Sequence, residues 1–142
     1  MDHNRNYEWI GYWRGVKDCF QADYYYRIAL DAKINVEGES HRVAYFSDAI
    51  GNFLLDMGLY NSAQPFFEQS LKIAESFFKL NHPDIATSLS NLVALYNKQG
   101  RYDEAVPLIQ RALKIYENNS GPNHPDTKTT YQNLEFCKRK LY

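Results

Sequence analysis

Residues 58–84 return at 100–126, offset by 42 positions. The two stretches share Gly58/Gly100, Tyr60/Tyr102, Ala63/Ala105, Pro65/Pro107, Leu71/Leu113, Lys72/Lys114, Ile73/Ile115 and Glu75/Glu117. Both close on the same four residues, Asn81-His82-Pro83-Asp84 and Asn123-His124-Pro125-Asp126. Twelve of 27 aligned positions are identical without a gap. A repeat of this density constrains the fold before any single motif does: the chain is built of like units that bury their apolar faces on one another.

Apolar spacing identifies the unit. Residues 41–57 carry Val43, Phe46, Ile50, Phe53, Leu54 and Met57 at helical steps, and Gly58 follows as a C-terminal glycine free to take positive φ. The next helix is expected to start near Asn61 as N-cap, with Pro65 in its first turn rather than its interior and Phe66, Phe67, Leu71, Ile73, Ala74 and Phe77 inward. His82 or a neighbour caps the helix that Pro83 opens, with Leu89, Leu92, Val93 and Tyr96 as its core stripe. Gly100 ends it. Asp103 is expected to cap a helix with Ala105, Leu108, Ile109, Ala112, Leu113 and Ile115 inward. Pro125 starts the last helix, with Tyr131, Leu134, Cys137 and Leu141 inward. Upstream, residues 21–36 place Ala22, Tyr25 or Tyr26, Ala29, Leu30 and Ala32 at helical spacing, and Trp9, Tyr12 and Trp13 fit a short irregular helix. No segment reads as strand. The unit is helix, glycine turn, helix, polar corner.

Composition narrows the class. A net charge of −1 gives no global field for nucleic acid or an anionic membrane. Residues 1–6 are polar, and no apolar run approaches the ~20 residues that span a bilayer; a reduced, cytoplasmic setting is the expectation. Cys19 and Cys137 lie near opposite ends of a stacked array, so no disulfide between them is expected. Asn118-Asn119-Ser120 reads as a polar turn. Twelve tyrosines supply apolar area with a polar tip, suited to helix contacts and binding surfaces.

Gly-x-Tyr-x-x-Ala followed eight residues later by Leu, at 58–71 and again at 100–113, resembles the tetratricopeptide repeat. The 42-residue period, the Asn-His-Pro-Asp corner, Asn91-Leu92-Val93-Ala94-Leu95-Tyr96 and the run from Gln99 to Ala105 look like the kinesin-light-chain type of that repeat. The resemblance implies an all-α, right-handed α-solenoid of antiparallel helix pairs. Residues 1–38 form a degenerate first repeat, 39–81 and 82–123 two repeats, and 124–142 a terminal capping helix or the cut edge of a longer array. Glu135 and Lys138 stand where Val93 and Tyr96 stand one repeat earlier, which gives the last helix a polar face.

Chemistry-bearing motifs have structural readings. His-Pro-Asp also marks J-domain co-chaperones, but here it occurs twice in phase and opens a helix each time. His41, His82 and His124 sit at equivalent points of successive units, about 15–20 Å apart by helix packing, whereas metal ligands lie within about 2–2.6 Å of the ion. No nucleophile, base and orienter set appears, and no phosphate loop. The chain is expected to be non-catalytic and to carry no metal or cofactor. The basic end, Lys128, Lys138, Arg139 and Lys140 against Glu135, is either a solvated helix terminus or a site for an acidic partner.

In tetratricopeptide arrays the first helix of each pair lines a concave face. The resemblance therefore assigns a peptide-binding groove to Tyr45, Asn52, Ser90, Asn91, Asn97, Lys98, Gln132, Asn133 and Arg139. Asn91 and Asn133 match positions that contact peptide backbone in peptide-binding members, and Asn52 a neighbouring position. An Asn side chain both donates and accepts, so it can bond an extended backbone whatever its sequence; surface amides or inter-helix bonds are the other reading. Asp48 and Asp56 in the first repeat leave a basic clamp for a C-terminal carboxylate incomplete. The function implied is an adaptor holding a peptide or partner helix of unknown identity. The alternative is self-association through Tyr7, Trp9, Tyr12 and Trp13, giving a homo-oligomer.

Overall fold

A computed structural model of the chain describes residues 26–34 and 41–142. The aromatic N-terminal segment, Cys19 and the break at 37–40 lie outside the described residues. Within them all regular structure is helical: α1 (residues 26–34), α2 (His41–Asp56), α3 (Tyr60–Phe77), α4 (Pro83–Lys98), α5 (Tyr102–Ser120) and α6 (Pro125–Leu141). None of these helices is long and apolar enough to cross a membrane. The chain divides into two compact units, the first ending at Ile73 and the second running Ala74–Tyr142, with the division inside α3.

The glycine turns take the backbone that the sequence demands. Gly58 has φ +77° and Gly100 φ +70°, a region other residues rarely adopt. After α2, Leu59 N–H reaches back to the Leu54 carbonyl (2.9 Å) and Gly58 N–H to Leu55 (3.0 Å). After α4, Arg101 N–H reaches Tyr96 (2.8 Å) and Gly100 N–H reaches Asn97 (3.2 Å). Both are Schellman closures, and they satisfy carbonyls the helix end would leave bare. They also move the next helix start. The Leu59 and Arg101 carbonyls accept at once from Ala63 and Ala105, so α3 and α5 begin at Tyr60 and Tyr102. Asn61 and Asp103, expected as caps, lie inside their helices, and Arg101 caps without a side-chain bond. Pro65 and Pro107 are thus helix-interior residues, each the sixth of its helix. Each removes one backbone donor, and the carbonyls that lose it, on Asn61 and Asp103, sit in the first turn.

In the first unit the core gathers Tyr26, Val43, Ile50, Phe53, Leu54, Phe66 and Phe67. Tyr26 meets Phe53 edge-on at 5.5 Å. Ser47, wholly buried, donates to the Phe66 carbonyl at 2.6 Å, which ties α2 to α3 without an unsatisfied hydroxyl. Phe67 packs its ring on Gly51, where a Cβ would come within 2.6 Å of it. Ala29 and Ala32, expected inward, are exposed. The α1 face instead buries Tyr26, Leu30 and Lys33, whose ammonium lies over the Phe46 ring at 5.6 Å. Met57, also expected inward, is exposed because α2 has ended before it.

In the second unit α5 packs against both α4 and α6. Leu89, Leu92, Val93 and Tyr96 are buried as their spacing requires, with Ile85, Leu95, Ala105, Ile109, Ala112 and Ile115. Leu108 and Leu113 are half-buried. Three aromatic or aliphatic expectations fail: Phe77, Tyr131 and Leu141 are exposed. In α6 the inward face runs through Thr127, Thr130, Leu134 and Cys137, and Tyr131 falls beside it. Both threonines are satisfied, Thr127 by the Gly121 carbonyl (2.8 Å) and Thr130 by that of Asp126 (2.7 Å). Asn118-Asn119-Ser120, expected as a turn, completes α5.

Candidate functional site

The site is built on α4 and α6, which start alike. His82 Nδ1 accepts from Asp84 N–H at 3.1 Å and His124 Nδ1 from Asp126 N–H at 3.2 Å. Each histidine is therefore the N-cap, with proline next and aspartate in the first turn, where its charge suits the positive helix end. That repeated corner sets both helices in the same rotational phase, so residues 42 apart face the same way. His82 also stacks on Phe78 at 4.0 Å; Ser120 stands at that place one repeat on. Among the described residues no three His, Cys, Asp or Glu side chains gather as metal ligands would.

Three bonds fix the helices of this unit. Cys137 S–H donates to Asn97 Oδ1 at 3.1 Å and joins α6 to α4. Burial pushes the Cys137 thiol above its ordinary pKa, and the bond to Asn97 pulls the other way. Asn119 Nδ2 donates to the Asn81 carbonyl (2.6 Å), holding the corner before α4 against the end of α5. Arg111 pairs with Glu75 at 2.6 Å.

Away from the core, α4 presents Thr87, Ser90, Asn91, Ala94, Asn97 and Lys98, all exposed or half-buried. The same phase of α6 presents Thr129, Gln132, Asn133, Phe136, Arg139 and Lys140, all exposed. Of the residues expected at the site, the second unit carries Ser90, Asn91, Asn97, Lys98, Gln132, Asn133 and Arg139 on these two stripes. They differ in what they have left to offer. Ser90 donates to the Ala86 carbonyl in its own helix (2.9 Å), and Asn97 Oδ1 is taken by Cys137. Arg139 Nε points at the Glu135 carbonyl (3.4 Å). Asn91, Gln132, Asn133 and Lys98 bond no other described residue and keep their full donor and acceptor capacity. There is no acid on either stripe.

Tyr45 and Asn52 belong to α2 in the first unit. Both are exposed, Tyr45 with the His41 ring edge-on at 6.4 Å. Asp48 and Ala49 beside them are half-buried.

An aromatic corner was not anticipated. Phe136, 41% exposed, meets Tyr102 edge-on at 5.9 Å, with Lys140 Nζ over its ring at 5.4 Å. Tyr102 belongs to the repeat signature and reads as filler there; only its proximity to Phe136 shows that it also borders the amide stripe. Nearby, the Arg101 guanidinium covers Tyr96 (4.3 Å) and holds Glu104 through two bonds (2.8 and 2.6 Å). That bonding holds the Glu104 carboxyl below its usual range.

The model of the family described as tetratricopeptide repeat matches residues 42–118 and 84–141. Nephrocystin-3 of Homo sapiens is 36% identical over 94 residues, and that of Xenopus laevis 34% identical over 93. Each match takes in 63% of this chain and spans 7% of the relative's length. Among solved structures, BtubC (BKLC) from P. vanneervenii superposes with a TM-score of 0.74 at 22% identity, over 87% of this chain and 50% of that one. The likeness is one of fold.

Proposed function

The chain belongs to the tetratricopeptide-repeat family, and from that premise we propose that it is a non-catalytic adaptor holding an extended peptide or a partner helix against α4 and α6. The observation that carries the proposal is the pair Asn91 and Asn133. They stand one period apart on helices joined by the Cys137–Asn97 bond, turned from the core, with amides no described residue uses.

Such amides suit a backbone ligand. Each can accept from a peptide N–H and donate to the next carbonyl, which gives affinity without fixing the ligand's side chains. Gln132 extends the set on α6. Phe136 and Tyr102 supply an apolar edge, with Lys140 over the Phe136 ring. The corresponding experiment is affinity capture with the chain and with Asn91→Ala plus Asn133→Ala, after circular dichroism shows equal helicity. A partner held by the first and lost by the second supports groove binding. A partner held equally by both removes it.

A further inference from the structure

Asn97 differs from the other amides of the stripe, because its side chain is already held from the core side. Its Oδ1 accepts from the Cys137 S–H at 3.1 Å, and its main-chain carbonyl accepts from Gly100 N–H at 3.2 Å in the glycine turn. Cys137 is wholly buried and Asn97 half-buried. A side-chain amide carries its oxygen and its nitrogen on one planar carbon. With the oxygen turned to Cys137 the nitrogen is turned from it, and Asn97 Nδ2 bonds no other described residue. The repeat does not need this bond: one period earlier the two positions are Leu55 and Leu95, both apolar. At the place of Asn97 on α6 stands Arg139, whose side chain can only donate. Asn91 and Asn133, by contrast, can turn either end of the amide outward. Burial holds the Cys137 thiol above its ordinary pKa, so it keeps the proton that the bond requires.

Resting on the groove reading above, we propose that Cys137 is a positioning residue that fixes Asn97 as a donor, so that this place on α4 takes a carbonyl oxygen of the bound peptide and refuses an N–H. Cys137 itself touches no ligand; it acts through the amide it orients. The orientation is set before binding, so the contact is made without ordering a free side chain. A net hydrogen bond of this kind changes affinity about two- to tenfold.

The test uses NMR of the full chain and a blocked glycine–serine hexapeptide, which offers backbone and little else, titrated to millimolar concentration. In the free chain, Cys137→Ala is expected to move the carbon-13 signal of the Asn97 side-chain carbonyl. Cys137→Ser is expected to leave it near its place, since a hydroxyl also donates. On titration the side-chain amide signals of Asn91, Asn97 and Asn133 are expected to shift along one curve. Cys137→Ala weakens that binding about two- to tenfold at equal helicity by circular dichroism, and Cys137→Ser restores it. Asn97→Asp keeps an oxygen for Cys137 but loses the donor, and weakens binding without any change at the cysteine. A carbonyl signal indifferent to Cys137→Ala overturns the proposal, and so does unchanged affinity in Cys137→Ala or in Asn97→Asp. A shift at Asn91 and Asn133 with Asn97 unmoved overturns the role of Asn97 and leaves groove binding standing. A hexapeptide that moves none of the three signals removes both.

Discussion

At four equivalent positions α4 carries Ile85, Ser88, Leu92 and Leu95 and α6 carries Thr127, Thr130, Leu134 and Cys137, and all eight are buried. At four others the helices part. Ala86, Leu89, Val93 and Tyr96 are buried in α4; Lys128 and Tyr131 are exposed in α6, and Glu135 and Lys138 half-buried. Backbone placement is the same, since each helix starts from a histidine cap and an N-terminal proline. What differs is how far these faces are buried. A helix in a stacked repeat is stabilised by what packs on each face, and the less buried face of α6 is the one that carries charge. The amide stripe is a third case: Asn91 and Asn133 are the same residue in both helices though neither is needed by the core.

The sharpest contrast is between equivalent residues Leu89 and Tyr131. Leu89→Ala leaves a cavity in a closed core and is expected to cost about 2–5 kcal/mol. Tyr131→Ala is expected to change stability by no more than about 0.5 kcal/mol. Urea unfolding of both variants measures the gap, and equal losses would break the comparison. Next is Gly51, which stands in α2 where Val93 stands in α4. Phe67 fills the space that Gly51 leaves, and the equivalent residue beside Val93 in the repeat is the smaller Ile109. Gly51→Ala is expected to destabilise by about 1–3 kcal/mol through overpacking, against a helix propensity that favours alanine by about 1 kcal/mol. A thermal midpoint that rises instead would show that Phe67 yields.

The caps give smaller effects. His82→Ala and His124→Ala each remove an acceptor from the first turn, an expected cost of about 1 kcal/mol. The loss should be greater at His82, which also gives up its stack on Phe78. Amide hydrogen exchange at Asp84 and Asp126 reads each cap separately. The smallest effect is expected at Arg101–Glu104, a surface pair that the first glycine turn lacks, having Leu59 and Ser62 there. The Glu104 pKa is lowered in the folded chain, first by its bond to Arg101. The stabilisation is therefore present above the ordinary carboxylate range and fades as pH falls through the lowered value. Thermal midpoints of the chain and Glu104→Gln should differ slightly at neutral pH and converge in acid. A gap that persists in acid would assign the effect to packing.

Features resting on backbone chemistry were legible in the sequence. A glycine after each apolar stripe forecast the positive φ at Gly58 and Gly100, and His-Pro-Asp forecast the starts of α4 and α6. The α4 core stripe followed from its spacing. Tyr131 and Leu141 were misplaced because periodicity marks a face without saying whether anything covers it. Asn61 and Asp103 were misplaced because the Schellman closures pass the chain straight into the next helix, before either residue can cap. Lys33 could not be foreseen as buried, since Phe46 shelters its charge from another helix. At the candidate site the placement of Asn91 and Asn133 outside the buried core stripe was readable. The Cys137–Asn97 bond and the meeting of Tyr102 with Phe136 were not, because their members lie far apart in sequence and join only by packing.

Groove binding is tested most directly by following the side-chain amide NMR signals of Asn91 and Asn133 while a captured peptide is titrated in, with exposed Asn118 on α5 as reference. Asn91 and Asn133 are expected to shift together along one binding curve while Asn118 stays in place. Shifts on Asn118 and its α5 neighbours, with Asn91 and Asn133 unmoved, would contradict a site on α4 and α6.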